Sequence, residues 1–169
     1  MKIKSLFTAS AALFTFAVHA REPLTVGDAA PELEVVTDSG EMVKLAESYA
    51  AGLTLVYFYP KADTPGCTKQ ACSLRDAYAD LQEAGITVFG VSMDNVKAQA
   101  AFKEKYNLPF SLIADESGAL VDAFGVPARM GKFASRQAFL IKEGKVVWRD
   151  LSASTAKQAD DVKAALASL

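Results

Sequence analysis

The sequence predicts an α/β domain in which a central mixed β-sheet is flanked by helices and preceded by an N-terminal hairpin. Three observations carry this. Residues 53–59 (LTLVYFY) and 86–92 (ITVFGVS) are short uncharged runs rich in β-branched and aromatic side chains, the pattern of strands buried on both faces of a sheet. Each run is followed by apolar residues at helical spacing, so strand and helix alternate. Hairpin signals stand at both ends: 33–37 and 41–45 flank Asp38-Ser39-Gly40, and 137–141 and 145–149 flank Glu143-Gly144.

In chain order, residues 21–32 read as an arm with turn signals at Gly27-Asp28 and Pro31, followed by the first hairpin. Residues 46–50 suit one helical turn before Gly52. The strand 53–59 stops at Pro60. Thr64 then stands at an N-cap position with Pro65 first inside a helix, where its missing N–H costs nothing. Ala71, Leu74, Tyr78 and Leu81 continue that helix until Gly85. After the strand 86–92, Asp94 or Asn95 caps a helix through Tyr106, with Ala98, Phe102 and Tyr106 on one face. A short strand at 109–113, a turn at Ser117-Gly118, a short helix at 119–124 and a loop over 125–135 follow. Beyond the second hairpin, Thr155 is the expected cap of a final helix with Ala159, Val162, Ala165, Leu166 and Leu169 on one side. No repeat or low-complexity stretch interrupts this, so residues 21–169 read as a single domain.

The whole chain has 169 residues, 51% of them apolar, which suits one domain with a real core and excludes disorder. The formal charge is −2, and no basic block or striped basic helix points to nucleic acid. No stretch beyond the N-terminus is long and apolar enough to cross a bilayer, so no stable membrane association is expected. The first twenty residues differ from the rest. Lys2 and Lys4 precede an uncharged run from Ser5 to Val18, and Val18-His19-Ala20 places small residues at the −3 and −1 positions of a cleavage site after Ala20. Residues 1–20 are therefore expected to be a signal peptide, with an exported destination such as a bacterial periplasm.

Cleavage there removes His19, the only histidine. Cys-His catalysis, Cys/His zinc sites and histidine-ligated copper then lack their ligands, and no metal or other cofactor is expected. The two cysteines, Cys67 and Cys72, remain. Cys67 falls at the third position of the helix that opens at Pro65, where free backbone amides and the positive end of the dipole favour a thiolate. In an exported protein a cysteine pair is commonly a static disulfide. Five residues apart on a helix, however, the two Cα atoms stand roughly 8–9 Å apart, beyond the limit of about 7 Å for a disulfide. Either 67–72 is not helical, or the bond forms only when the first turn unwinds, and strained bonds of that kind are the redox-active ones.

Pro60-Lys61-Ala62-Asp63-Thr64-Pro65-Gly66-Cys67 resembles the P-x-x-x-T-x-x-C signature of peroxiredoxins. The T-P-G-C-T string with a second cysteine five residues on is similar to the bacterioferritin-comigratory-protein (PrxQ-like) branch, as are Gly90-Val91-Ser92-Met93-Asp94, the stretch 102–115, Phe124-Gly125-Val126, and Arg136 leading into Phe139-Leu140-Ile141. The resemblance covers about 30–155. It implies a thioredoxin-like fold and thiol-dependent reduction of hydrogen peroxide and organic hydroperoxides. Cys67 would be the peroxidatic nucleophile and Cys72 the resolving cysteine, closing an intramolecular disulfide that a thioredoxin-like dithiol reopens. Thr64 and Arg136 would hold the peroxide oxygens, while Pro60, Pro65 and Gly66 would shape the pocket. A monomer is expected, as is common in that branch.

Two positions depart from the branch pattern. Gln70 stands where a glutamate is usual, three residues after Cys67, and Ala138 replaces a hydroxyl residue two after the arginine. The first is expected to weaken the hydrogen bonding that orients Arg136. Three other readings compete. An exported thioredoxin-like oxidoreductase acting on protein thiols would want C-x-x-C rather than Cys67-x4-Cys72. A copper chaperone on the same fold lacks its histidine. A plain disulfide-stapled domain would leave peroxide untouched.

Overall fold

The structure, a computed structural model, describes residues 22–169. The expected signal peptide and its boundary at Ala20 lie outside the described residues. The first hairpin pairs β1 (Glu34–Val36) with β2 (Met42–Lys44), antiparallel, with Val35 opposite Val43. Then come α1 (Leu45–Ala51), β3 (Leu53–Phe58), α2 (Pro65–Asp76), α3 (Tyr78–Glu83), β4 (Ile86–Ser92), α4 (Val96–Tyr106), β5 (Ser111–Ala114) and α5 (Ala119–Ala123). A two-residue ladder, β6 (Ala128–Arg129) with β7 (Phe133–Ala134), leads to β8 (Gln137–Lys142), β9 (Lys145–Asp150) and α6 (Gln158–Leu166). The main sheet runs β5-β4-β3-β8-β9. Its parallel half is built by the α2–α3 and α4 crossovers, and its antiparallel half by the β8–β9 hairpin. This is the mixed sheet flanked by helices that the chain's periodicity predicts.

β3 lies at the centre, and its alternation divides the core. Leu55, Tyr57 and Tyr59 point to one side, where Cys67, Ala71 and Leu74 of α2, Phe102 of α4 and Val162 of α6 close over them. Val56 and Phe58 point to the other, against Leu45 and Tyr49 of α1 and Leu120, Val121 and Phe124 around α5. Gly90 of β4, opposite Tyr57 in the ladder, leaves room for the Tyr57 ring to lie across the strand. A Cβ there would stand 2.6 Å from the Tyr57 hydroxyl oxygen.

Several elements depart from the expected course. The helix expected to run from Pro65 to Gly85 breaks at Ala77 into α2 and α3. No local breaker stands there. The bend accompanies tertiary contacts, with Arg75 donating to the Tyr106 carbonyl (2.9 Å) and the Tyr78 ring tilted against Phe110. β5 begins at Ser111 rather than at Pro109, which has no N–H to give a ladder. Its exposed edge is answered by Asp38: the Asp38 carboxylate accepts from Leu112 N, and the Leu112 carbonyl accepts from Asp38 N, both at 2.7 Å. The loop 125–135 contains the β6–β7 ladder, turned through Met130 and Gly131, which both have positive φ. A methionine at that turn position is no sequence signal. Thr155 does not cap α6, which starts three residues later at Gln158; Ser154 accepts instead from Ala156 N and Lys157 N. Leu169 lies past the end of α6 and is exposed rather than packed.

Candidate active site

Pro60 stops β3 because it cannot continue the ladder, and the chain then doubles back through Asp63, a non-glycine residue with φ of 55°. Three side chains hold this loop. Lys105 donates to both Asp63 carboxylate oxygens (2.9 and 2.7 Å), and the Tyr106 hydroxyl donates to Asp63 Oδ1 (2.7 Å). The Lys105 and Tyr106 hydrogen bonds hold the Asp63 carboxyl below the usual carboxylate range. Asp94 Oδ2 accepts from Ala62 N and from Ser92 Oγ, each at 2.7 Å. This settles the alternative between the two cap candidates: Asn95 caps α4, accepting from Ala98 N (2.9 Å), and Asp94 braces the loop.

Thr64 is the N-cap residue of α2 and Pro65 its first helical residue. The first helical hydrogen bond runs from Thr68 N to the Thr64 carbonyl (2.8 Å). The Thr64 hydroxyl does not cap the helix. It donates to the Lys61 carbonyl at 3.1 Å, which leaves its oxygen lone pairs free to accept. Cys67, on the open first turn, is 2% exposed. Its Sγ lies 3.6 Å from Nη2 of Arg136, which stands just before β8, the antiparallel neighbour of β3. Gly66 gives Arg136 room, because a Cβ on it would stand 3.2 Å from Arg136 Nη2 and 3.5 Å from the Thr155 methyl, enough to press on the guanidinium by a few tenths of an ångström. Thr155, expected as a helix cap, thus packs on the site.

The other guanidinium nitrogen of Arg136, Nη1, donates to Gln70 Oε1, so the amide that replaces a carboxylate still orients the arginine. The expected weakening does not take the form of a lost hydrogen bond. Gln70 Nε2 donates in turn to Gln158 Oε1 (2.8 Å) on α6, and both glutamines are fully buried. Ala138 lies opposite Tyr57 in the β3–β8 register and is fully buried beside the cysteine helix. A cleft of about 490 Å³ opens next to Arg136, lined by Pro60, Arg129, Ala134, Ser135, Leu151 and Ala153 among others. Pro65 is exposed at the mouth of α2.

Cys67 and Cys72 are both free thiols, Cys67 buried and Cys72 half-buried. α2 runs unbroken through both, so their Cα atoms keep the helical separation that a disulfide cannot span. Of the residues singled out from sequence, Cys67, Arg136, Gln70 and Gly66 come together at one point. Thr64 and Pro60 border it. Missed were Gln158, the Asp63–Lys105–Tyr106 clamp and Asp94 as a brace. Gln158 carried one signal, a polar residue beginning an otherwise apolar stripe. The clamp carried none, since nothing local links residues 63 and 105.

A thioredoxin-like domain that buries a helix-opening cysteine against an arginine defines a class of thiol enzymes, and comparison with known proteins places the chain within it. Residues 26–149 match the AhpC/TSA family. The chain is 41% identical to peroxiredoxin Bcp of Bacillus subtilis over 135 residues, 75% of this chain and 85% of that protein. Among solved structures, peroxidoxin BcpB of Mycobacterium tuberculosis superposes with a TM-score of 0.80 at 32% identity, covering 85% of this chain and 97% of that one. The bacterioferritin comigratory protein of Xanthomonas campestris, whose alkyl peroxide reduction was followed through a trapped intermediate, superposes at 0.76 with 32% identity, over 83% and 98%. The chain belongs to the AhpC/TSA family, within its Bcp/PrxQ peroxiredoxin branch. Among the described residues no helix is long and apolar enough to cross a membrane.

Proposed function

We propose that this peroxiredoxin reduces hydroperoxides with Cys67 as the attacking sulfur and Cys72 as the resolving one. The observation that carries the assignment is the 3.6 Å approach of Arg136 Nη2 to Cys67 Sγ on the open first turn of α2. Free helix amides and a guanidinium that stays charged at working pH both stabilise a negative sulfur. The thiolate attacks the terminal oxygen of ROOH. The O–O bond breaks, Cys67 becomes a sulfenic acid, and RO⁻ leaves to be protonated as ROH. Arg136 donates to the peroxide oxygens while the Thr64 hydroxyl oxygen accepts from the peroxide O–H.

Cys72 then attacks the sulfenic sulfur, releasing water and forming the Cys67–Cys72 disulfide. Because α2 is intact with both thiols reduced, this step requires residues 67–72 to leave the helix. A thioredoxin-like dithiol returns both thiols by exchange, becoming a disulfide itself. A protein disulfide is the less suitable first substrate, because Cys67 is buried while both thiols are reduced and its partner stands five residues away rather than in a C-x-x-C pair. The same reading includes export to a periplasm-like compartment after cleavage at Ala20, and a monomeric working state.

The deciding experiment is titration of the reduced protein with hydrogen peroxide. The expected result is one equivalent consumed with loss of both thiols. A disulfide oxidoreductase or a stapled domain would leave the peroxide untouched, and that result would overturn the reading. Mass spectrometry of the exported fraction should find a chain beginning at Arg21; an intact Met1 there refutes cleavage.

A further inference from the structure

Arg136 makes an unusual demand on its neighbours. A guanidinium only donates, so the group it meets at position 70 must present an oxygen. With glutamine there, the oxygen turned to Arg136 forces the amide NH2 of Gln70 the opposite way, into the interior. A carboxylate at that position would carry no such donor. The inward NH2 must find an acceptor or be buried unpaired, and it finds Gln158 Oε1 at 2.8 Å.

Gln158 in turn bears an NH2 group. That nitrogen is buried without a partner among the described residues. Donors left this way are rare and unfavourable, so the amide at 158 is explained by its oxygen alone. The orientation of all three side chains therefore follows from the arginine: Arg136 donates to Gln70, and Gln70 donates to Gln158. A second hydrogen bond, from Ala159 N to Ser73 Oγ (3.2 Å), docks the same end of α6 on the same helix one turn further along. Among the described residues no carboxylate lies within ion-pair distance of Arg136, and the one side-chain oxygen that holds it is Gln70 Oε1.

We propose that Gln158 is a positioning residue for the peroxide step, holding Arg136 on Cys67 through the side-chain amide of Gln70. The inference rests on the reading that Arg136 assists Cys67. Without the Gln158 oxygen, the Gln70 amide can turn its NH2 elsewhere. Its oxygen then leaves Nη1, and Nη2 loses its fixed aim at the sulfur. The last helix of the fold, some ninety residues from the nucleophile in sequence, thereby takes part in setting its reactivity.

The test replaces Gln158 with methionine, which keeps the length and removes the acceptor, and with glutamate, which keeps an oxygen in the same place. Gln158→Met is expected to slow single-turnover reaction with hydrogen peroxide by about threefold to tenfold, the worth of one neutral hydrogen bond. The pH midpoint of Cys67 alkylation should rise with it. Gln158→Glu is expected to recover at least half of the lost rate. A purely structural role would lower the melting temperature of Gln158→Met while leaving rate and midpoint at wild-type values, and that result overturns the proposal.

Arg136→Ala, measured alongside, separates the two ideas. If it slows the reaction and Gln158→Met does not, only the positioning role falls; if neither does, the reading of Arg136 falls as well. Should Gln158→Met fail to fold, side-chain amide NMR of the reduced wild type decides. Titrating the Cys67 thiol should move the Gln70 and Gln158 NH2 signals with a common midpoint. Gln158 signals that stay fixed while those of Gln70 move would refute the relay.

Discussion

The two faces of β3 are made of nearly the same residues and behave differently. Val56 and Phe58 face a mainly hydrocarbon side: the rings of Phe58, Phe124 and Phe139 form a triangle with centroids 5.1–6.0 Å apart. Polar groups there, such as the Tyr49 hydroxyl on the Pro31 carbonyl and the Asp115 carboxylate on Val121 N, are paired with backbone. Leu55, Tyr57 and Tyr59 face the side of the sulfur, and there the packing is threaded with polar groups. The Tyr59 hydroxyl donates to Gln99 Oε1 (2.5 Å), Gln99 Nε2 donates to Ser92 Oγ and to the Ile113 carbonyl, and Gln70 pairs with Gln158. Of the three buried polar side-chain atoms without a partner among the described residues, two belong to this side, Tyr57 Oη and Gln158 Nε2. One face is built to be stable. The other gives up some stability to hold a charged guanidinium beside a reactive thiol.

The sharpest test of this division is at the nucleophile. Cys67→Ser should consume no peroxide at all, while its fold, resting on both faces, remains. Cys72→Ser should react once, stall as a sulfenic acid that a dimedone probe traps, and overoxidise readily. In the wild type the disulfide form should exchange amides faster than the dithiol form across roughly 64–76, because the bond holds that segment out of α2. Equal protection would mean that the bond fits the helix.

Next in size is a change on the opposite face. Phe124 is fully buried between Phe58 and Phe139. Phe124→Ala should lower unfolding free energy by about 3–5 kcal/mol, the usual result of emptying an aromatic core site. The molecules that stay folded should reduce peroxide at the wild-type rate. A tenfold slower rate per folded molecule would break the comparison, because it would make the hydrocarbon face part of the site.

Arg136→Ala is the counterpart on the reactive face. Losing one charge-assisted partner should slow peroxide reduction by roughly ten- to a hundredfold, about 1.5–3 kcal/mol of barrier. The midpoint of Cys67 alkylation should move to higher pH, with melting changed little. Activity within twofold of wild type would remove the arginine from the mechanism.

Much of this division is legible in the amino-acid sequence. Short uncharged runs rich in β-branched and aromatic residues locate the central strands because both faces of the sheet are buried, and helical spacing locates the helices through their apolar stripes. The TPGC string locates Cys67 because proline and an N-cap position mark a helix start in a way that depends on neighbours alone. What escapes such reasoning depends on partners far along the chain. The break at Ala77 follows Arg75 and Tyr78 finding residues 106 and 110. The Asp63 clamp spans 42 residues and the Gln70–Gln158 pair 88. Within residues 57–59 the alternation Tyr-Phe-Tyr does carry the difference between the faces. It reads as uniformly apolar only if a phenol is counted as a phenyl ring.

The smallest expected effect follows from that last distinction. Tyr57 is fully buried, and its hydroxyl has no partner among the described residues. Burial first, and then nearby groups including Tyr59 and Cys67, push its phenol well above the ordinary tyrosine range, so it stays protonated in the folded protein. Tyr57→Phe removes an unpaired polar atom from the core and should raise stability at neutral pH by about 1 kcal/mol. The pH dependence is more diagnostic. Below pH about 10 neither the folded nor the unfolded chain ionises this phenol, and it adds no slope. Above that, the unfolded chain releases the proton and the folded one retains it, so fewer protons are bound on unfolding and stability falls as pH rises. Each such tyrosine steepens the fall by about 1.4 kcal/mol per pH unit. Denaturant melts between pH of roughly 9 and 11.5 should therefore show a shallower alkaline limb for Tyr57→Phe than for the wild type, by about one proton's worth. Lysine and cysteine titrations are shared by the two proteins and cancel in the difference. Parallel limbs would show that the Tyr57 phenol ionises in the folded state. The face beneath Cys67 would then be open to solvent, contrary to the division between the two sides of β3.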